Sequence, residues 1–471
     1  MTLPSRLFVH RLGRLLAALA GLVAVQVVAQ EAVRPPNFIV VLADDLGAAE
    51  LGCYGHAEHK TPNLDRLARE GMRFETCYAT PICSPTRVAL LTGQYGFRTG
   101  WFNLIGSSYS PPPSSPAYDV GAKLTFADVL KTRGYATALT GKWQLSGEPQ
   151  TVIRDCGFDE YRMWAYTHNL PAGVTHTGGF DDKGKTKPAR YWHPGIVENG
   201  KYLPTQPNRY GPDLFNEFAI DFMRRHRDRP FCLYYTSPLT HSPFPETPDP
   251  LHPGQRWPKG FKSSLEYLDH LMGRLVAAVD ELGLKERTLI LFVGDNGTAG
   301  RGKGEMSERG VRVPFIVRGP GTVKAGVVAR GLTDITDVLP TLADLAGAMV
   351  PAGHPLDGKS LAPVLRGESH HHRDWIFSFR NRGRLIRDQR WLLELDAEKG
   401  KERFYDCGES RDGRGYQLVT DSKSPEVVAA RTRFDQILKN LPSAEGFPGL
   451  ITPETNSRKA KRAAKPAEED P

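Results

Sequence analysis

Two pairs of oxygen-bearing side chains stand at the ends of strongly apolar runs. Asp44 and Asp45 follow the run NFIVVLA, and Asp295 and Asn296 closely follow the run TLILFV. Carboxylate and amide oxygens suit hard cations such as Ca²⁺ or Mg²⁺ rather than Zn²⁺. An acidic pair, or an Asp-Asn-Gly turn, is weak evidence for a metal site by itself. Because each pair follows a predicted strand, we expect the two pairs to meet at one sheet edge and to hold a divalent cation.

A cysteine begins the second motif that could carry chemistry. Cys83 opens the run Cys-Ser-Pro-Thr-Arg, which ends at Arg87 and is soon followed by ALLTG. A buried thiol before a helix is a common fate for cysteine. A residue at a helix N-terminus also faces free backbone amides, which can bind an anion.

Three cationic or titratable side chains also fall after predicted strands or in the loop between two of them. They are Lys142, His241 and Lys303. A lone lysine is usually a solvated surface group, and a histidine beside prolines is usually a loop residue. In open α/β sheets, however, ligands bind beyond the carboxyl ends of the strands. The joint placement therefore favours one functional site.

The elements that must position these residues alternate between strands and helices. Strands are predicted at 37–43, 135–140, 231–236, 288–293 and 313–317, and helices at 63–70, 125–133 and 264–282. This alternation predicts an α/β fold with a mostly parallel central sheet between helices. After about Gly367, short strand-like runs and a helix predicted at 425–441 indicate a small C-terminal α+β domain.

Residues 83–93 resemble the signature of the sulfatase family, C-x-P-x-R followed by a leucine-threonine-glycine segment. The resemblance extends from about Pro36 to Pro320. It implies an alkaline-phosphatase-like large domain, and oxidation of Cys83 to formylglycine (3-oxoalanine) by a maturation enzyme. One hydroxyl of the hydrated aldehyde attacks sulfur, and the other then expels sulfate. The function implied is hydrolysis of sulfate monoesters with release of inorganic sulfate.

The same resemblance implies a role for each of the other residues. The metal ligands implied are Asp44, Asp45, the modified Cys83, Asp295 and Asn296. Ca²⁺ is the expected ion, with Mg²⁺ as the alternative. Arg87 is expected to orient the formylglycine, Lys142 and Lys303 to bind sulfate oxygens, and His241 to face the leaving oxygen. Cations converging there would stabilise the charge that develops on that oxygen.

Two positions depart from the family pattern. Gln144 stands where the family usually has histidine in Gly-Lys-Trp-His-Leu, and Arg309 stands where it commonly has glycine. A glutamine can hydrogen-bond to substrate but cannot take a proton at neutral pH. Two alternatives stay open: a phosphate or phosphonate monoester hydrolase, because the resemblance extends to that wider superfamily, and a pseudo-sulfatase that binds sulfated glycans, because Gln144 replaces the usual histidine.

The substrate is expected to be a sulfated carbohydrate, although a sulfated small molecule is also considered. This expectation comes from the resemblance. Loop residues that could contact a sugar are Trp101, Asn103, Trp164, His168, Trp192 and His193. Aromatic loop residues more often serve packing, so both roles stay open.

The chain ends carry different signals from the middle. Residues 1–30 combine early arginines, an apolar run and a small-residue cleavage site, which predicts a signal peptide and an exported protein, periplasmic or secreted, with no stable membrane span. The expected domains are 31–366 (catalytic) and 367–450 (α+β), and the polar tail 451–471 is expected to be disordered. Basic residues concentrate only in that tail, so nucleic-acid binding is not expected. Six cysteines with no CxxC pair argue against both a disulfide scaffold and a zinc ribbon.

Overall fold

The structure of the chain is a computed structural model that describes residues 34–148, 150–166, 170–174 and 190–453. The predicted signal peptide, His168 and most of the predicted tail lie outside the described residues. Within the described ranges, no helix is both long and apolar enough to cross a membrane.

The strands form three sheets. In chain order they are β1 (Asn37–Ala43), β2 (Met72–Tyr78), β3 (Ala136–Gly141), β4 (Glu160–Trp164), β5 (Ile196–Glu198), β6 (Lys201–Leu203), β7 (Phe231–Ser237), β8 (Thr247–Pro248), β9 (Arg256–Trp257), β10 (Thr288–Gly294), β11 (Arg312–Arg318), β12 (Val327–Asp334), β13 (Trp375–Arg380), β14 (Gly383–Asp388), β15 (Trp391–Asp396), β16 (Lys401–Asp406) and β17 (Gln417–Leu418).

The large sheet has the order β12-β2-β11-β10-β1-β7-β3-β4-β5-β6. Its centre, β10-β1-β7-β3-β4, is entirely parallel. Antiparallel strands flank this centre, because β11 runs against both β10 and β2, and β5 runs against β4. The carboxyl ends of the parallel strands therefore share one edge, as the sequence predicted.

Both faces of the large sheet are covered by helices. Along β1, Phe38, Val40 and Leu42 pack in one apolar core and Ile39 and Val41 in another, because successive side chains of a strand point to opposite faces. The helices are α1 (Pro62–Arg69), α2 (Cys83–Thr92), α3 (Gly96–Thr99), α4 (Phe126–Lys131), α5 (Val152–Asp155), α6 (Gly211–Arg225), α7 (Phe261–Glu281), α8 (Glu308–Val311), α9 (Val338–Ala346), α10 (Ala362–Leu365) and α11 (Pro425–Leu438). Helices α2, α4 and α9 line the first core, and α1, α6 and α7 the second.

Strands β13 to β17 form a separate antiparallel sheet. Phe377 and Phe404 of this sheet pack with Phe434 of α11 on one face. On the other face, Ile376 and Leu385 pack with Tyr78, Met306 and Val311 of the large part. The C-terminal sheet therefore packs against α11 on one face and against the loop that follows β10 on the other.

Two elements in the middle of the chain were not among those predicted. One is the β5–β6 hairpin, which lies between Trp164 and Tyr210. The other is helix α6. It begins with Gly211-Pro212 directly after that stretch, and its fifteen residues cover the second core.

Candidate functional site

Four of the five predicted metal ligands meet at the carboxyl ends of β1 and β10. Strand register places Ala43 opposite Gly294, so the residues that follow the two strands are neighbours. The backbone amide of Asp45 donates to Oδ1 of Asp295 (2.9 Å), and Nδ2 of Asn296 donates to Oδ1 of Asp45 (2.9 Å). Asp44 and the other three side chains are fully buried. Burying three carboxylates together requires compensating positive charge.

Three cations supply that charge. Lys142 Nζ donates to both carboxylate oxygens of Asp44 (2.6 and 2.8 Å), and Lys303 Nζ donates to Asp45 (2.7 Å). Arg87 Nη2 donates to Asp295 Oδ2 (2.9 Å) and lies 3.5 Å from Asp44. Burial alone would raise the pKa of Asp44, but Lys142 and the other nearby cations hold it well below its usual range. Asp44 is therefore ionised at any physiological pH.

Asp295 behaves in the opposite way. Burial and the charge of Asp44 raise the pKa of Asp295 above its ordinary value, although Arg87 opposes the shift. Like charges held close together in a dry site cannot all be ionised at low cost. The carboxylate cluster would therefore gain from further positive charge.

Cys83 is the first residue of α2. Its side chain is 1% exposed, and its Sγ lies 3.4 Å from Oε1 of Gln144. Thr86 orders the preceding turn, because its Oγ1 accepts from the amide of Thr80 (3.0 Å). Burial raises the pKa of the Cys83 thiol. The unmodified thiol is therefore protonated at neutral pH and is a poor nucleophile.

His241 lies after β7 and borders the same cluster. Its Nδ1 contacts the carbonyl of Ser242, and its Nε2 lies 3.8 Å from Asp45. A donated Nδ1 hydrogen to that carbonyl leaves Nε2 with its lone pair toward the site. Burial, with a further contribution from Lys142, lowers the pKa of His241 to about 4. The imidazole is therefore neutral near pH 7.

Backbone conformation marks two of these residues as unusual. Asp45 has φ 60° and Gln144 has φ 53°, both in the left-handed region that side chains other than glycine seldom adopt. Such strain is retained only where surrounding contacts over-determine it, and it is common at functional sites.

The donor set fits a hard divalent cation. Asp44, Asp45, Asp295 and Asn296 all offer oxygen, and Asn296 Oδ1 is buried with no hydrogen-bond partner among the described residues. Ligand atoms of Asp44, Cys83 and Asp295 lie within 4.8 Å of one another, as do those of Asp44, Asp45 and His241. A buried acceptor without a donor is costly unless something else satisfies it. A cation held by these oxygens would do so.

The residues expected to contact a sugar are mostly engaged in packing. Trp101 is fully buried, and its Nε1 donates to the carbonyl of Ala117 (2.9 Å). Asn103 and Trp164 are also buried, and so is His193, whose Nδ1 accepts from the amide of Asn208. Trp192 is partly exposed, with Arg256 stacked 3.9 Å from its ring centroid. Trp101 therefore cannot stack on a sugar in this structure.

The structure adds two residues that sequence reasoning missed. The Tyr191 hydroxyl donates to the carbonyls of Pro238 (3.0 Å) and His241, and Thr240 Oγ1 donates to the carbonyl of Asp45 (3.1 Å). These bonds hold the loop that carries His241. No motif marks either residue, and only the fold brings them to the site.

Comparisons with known proteins identify the family of this chain. The sulfatase family profile matches residues 36–348. Human arylsulfatase A is 36% identical over 375 residues, covering 74% of this chain and 71% of the relative. Mouse steryl-sulfatase is 33% identical over 421 residues, covering 71% of this chain and 66% of the relative, just under two thirds of its length.

A solved structure of a protein in complex with its substrate D-glucosamine-2-N,6-O-disulfate superposes with a TM-score of 0.67. It is 22% identical and covers 93% of this chain and 100% of that protein, so it supports the fold alone. With the match of the family profile, the fold and the strand-end cluster define an alkaline-phosphatase-like hydrolase domain. The chain belongs to the sulfatase family, whose members are sulfuric ester hydrolases.

Proposed function

We propose that this chain hydrolyses sulfate monoesters on a sulfated carbohydrate, through a formylglycine formed from Cys83 beside a bound Ca²⁺. The observation that carries the proposal is the convergence of Cys83 with four oxygen ligands and three cations, of which Lys142 and Arg87 are buried and Lys303 is partly exposed. Lys142 and Lys303 come from different parts of the chain, yet both reach the carboxylates beside Cys83. Such an array fits a substrate that carries negative charge into a dry site.

Asp44, Asp45, Asp295 and Asn296 are the residues that would hold the cation. When bound, Ca²⁺ would act as a Lewis acid that polarises oxygen atoms of the nucleophile and of the sulfate group. Lys142 and Lys303 would then no longer be needed to neutralise the carboxylates. Both ammonium groups would be free to donate hydrogen bonds to sulfate oxygens.

The formylglycine, when present, would supply a hydrated aldehyde with one hydroxyl to attack sulfur and another to expel sulfate. Arg87 donates to the carbonyl of Lys142 (2.9 Å) and to the carboxylate of Asp295, so it connects the segments that follow β3 and β10. The position of Cys83 at the start of α2 adds free backbone amides, which favour a bound anion.

His241 is placed to handle the proton of the leaving alcohol. Its lowered pKa leaves it neutral in the free protein. An anionic sulfate beside the ring would raise that pKa again, because a nearby negative charge favours the imidazolium. Proton donation by His241 is therefore coupled to the arrival of substrate.

Gln144 lies against residue 83 and is the basis of the rival hypothesis. Its amide can orient a hydroxyl or a sulfate oxygen, but it cannot act as a base. The rival protein would bind sulfated glycans and release nothing. Sulfate release by the formylglycine-bearing protein without substitutions would distinguish the two hypotheses.

The substrate class and the cellular location are supported by the fold and by the composition of the N-terminal residues. The fold is shared with a protein whose substrate is D-glucosamine-2-N,6-O-disulfate, which supports a sulfated sugar. The composition of residues 1–30 supports export to the periplasm or the outside of the cell. A formylglycine-generating enzyme is the partner that the proposed nucleophile requires.

The test begins with the mass of the tryptic peptide 74–87, from protein produced with a formylglycine-generating enzyme and then alkylated. This peptide contains Cys77 as well as Cys83, so a buried neighbouring thiol serves as an internal control. The expected peptide has one alkylated cysteine, at Cys77, and an aldehyde at residue 83. Two alkylated cysteines, with a control sulfatase converted in the same cells, would contradict the proposed nucleophile.

Activity is then measured with 4-nitrocatechol sulfate, 4-nitrophenyl phosphate and a panel of sulfated sugars. Sulfate release that disappears in Cys83→Ala supports the proposal. Hydrolysis of the phosphate ester alone would support the phosphatase alternative, and tight binding of sulfated sugars without any release would support the pseudo-sulfatase.

A further inference from the structure

An arginine from the C-terminal sheet reaches the loop that carries Lys303. Arg380 is the last residue of β13, and its Nη1 donates to the carbonyl of Gly304. Its Nε is buried and has no hydrogen-bond partner among the described residues. Throughout the described ranges, Arg380 forms no ion pair with a carboxylate, and its side chain is only partly exposed. A guanidinium that is this far buried normally forms an ion pair with a carboxylate or another anion.

The position of Arg380 places it beside the candidate site. Gly304 directly follows Lys303, and its amide donates to the carbonyl of Pro81 (2.7 Å), two residues before Cys83. Ser378 of the same strand donates through Oγ to the carbonyl of Ala79 (2.7 Å). The end of β13 is therefore tied to both segments that flank the nucleophile.

The turn after Arg380 is held firmly. The amide of Asn381 donates to the carbonyl of Phe102 (3.0 Å), and its carbonyl accepts from the amide of Ala444 (3.0 Å). Asn381 itself has φ 51°. Because its neighbour is fixed by main-chain bonds, Arg380 is presented from a rigid support, which lowers the entropy cost of binding a ligand.

Two acidic residues near Arg380 have other partners. Arg380, Asp396 and Glu398 line one small cavity of about 50 Å³. Asp396 lies 3.5 Å from Lys399, and Glu398 accepts from Nδ2 of Asn381. Neither carboxylate forms an ion pair with the guanidinium, so Arg380 has no carboxylate partner among the described residues.

We propose that Arg380 determines substrate specificity by binding a second anionic substituent on the sugar that carries the scissile sulfate. The inference rests on the proposed function and names a feature of its substrate. The planar guanidinium can donate paired hydrogen bonds to a sulfate or a carboxylate. A substrate with one sulfate and no other charge would leave Arg380 without an anionic partner.

The experiment measures binding, so that it does not depend on turnover. Cys83→Ala protein with Ca²⁺ is titrated calorimetrically with N-acetyl-D-glucosamine 6-sulfate, D-glucosamine-2-N,6-O-disulfate and a monosulfated glucuronic acid. The second probe adds a sulfate and the third adds a carboxylate. Each titration is repeated with Arg380→Gln, which keeps a donor for Gly304 but removes the charge. Arg224→Ala removes one exposed arginine of α6 and controls for net charge.

We expect the parent to bind at least one doubly charged probe more tightly than the singly charged one. Arg380→Gln should reduce that preference about tenfold, as the loss of one charge-assisted interaction predicts. Arg224→Ala should leave the preference unchanged. Which of the two doubly charged probes is preferred identifies the second group as sulfate or carboxylate.

Two outcomes would overturn the inference. One is a parent protein that shows no preference for either doubly charged probe. The other is an Arg380→Gln protein that weakens all probes alike, because a purely structural role at Gly304 would displace Lys303 and affect every sulfate equally. Failure of the proposed function would instead show as absent sulfate release by the formylglycine-bearing protein, whatever these affinities are.

Discussion

Replacing Lys142 by methionine tests the electrostatic design of the site. Lys142 is fully buried and bonds to both oxygens of Asp44, at 2.6 and 2.8 Å. At an effective dielectric constant of about 20, two unit charges about 3 Å apart attract by about 5 kcal/mol. Breaking a buried pair from one side typically costs about 3–5 kcal/mol. Arg87, 3.5 Å from Asp44, compensates only part of that loss.

We therefore expect Lys142→Met to lower the free energy of unfolding by about 3–5 kcal/mol in the absence of divalent cations. The assay is denaturant unfolding in EDTA. Lys131→Met is the matched control, because Lys131 lies 2.7 Å from Asp159 with both side chains about 40% exposed (42% and 44%). An exposed pair of this kind contributes about 0–1 kcal/mol.

Equal losses in the two variants would refute the reasoning, which attributes the larger loss to burial of the Lys142–Asp44 pair. A second measurement adds Ca²⁺ to both proteins. If the carboxylates bind the ion, Ca²⁺ should restore part of the stability of Lys142→Met and leave the Lys131→Met deficit unchanged.

Three further predictions follow from the same geometry. His241, with a pKa lowered from 6.5 to about 4, contributes stability that is present above pH 6.5 and lost as the pH falls from 6.5 to about 4; this contribution is at most about 3 kcal/mol. His241→Gln should flatten that part of the pH–stability curve in EDTA, and an unchanged slope would contradict the shift. Gly141→Ala should cost about 3 kcal/mol or more by denaturant unfolding, because the new Cβ would lie 1.9 Å from the carbonyl oxygen of Thr236. Gly134→Ala, at φ 76° rather than the 108° of Gly141 and with open space around the new Cβ, should cost only about 1 kcal/mol, and equal costs in the two variants would show that the contact with Thr236 does not determine the loss. Ca²⁺ at about a hundredfold its Kd should add about 2.7 kcal/mol to the free energy of unfolding; Asp45→Asn should remove that gain in thermal unfolding, and an equal gain in the variant would place the ion elsewhere.

The parts of the fold that the sequence predicted are those where burial leaves a clear pattern. Strand β1 was predicted to its last residue, because a central parallel strand is apolar on both faces. Strand β2, MRFETCY, mixes charged and apolar residues and was not recognised. The antiparallel direction of β11 could not be read from its composition, since direction depends on the path of the connecting chain.

The site shows the same division. The meeting of Asp45 with Asp295 followed from strand ends alone, and the structure places Cys83, Lys142, His241 and Lys303 around them. The contact of Gln144 with Cys83 involves a left-handed backbone at Gln144, and the residue type glutamine does not predict that conformation. Arg380 comes from another sheet, so no spacing in the sequence connects it to Lys303.

The central position of β1 has a consequence for biosynthesis. Its neighbours β7 and β10 are translated long after it, so the chain cannot enclose residue 83 until about 200 more residues have been made. At typical rates of synthesis this takes roughly 10 to 40 seconds. In the finished fold the thiol of Cys83 is almost completely shielded. A modifying enzyme would therefore have at least this interval in which the nascent chain exposes the cysteine.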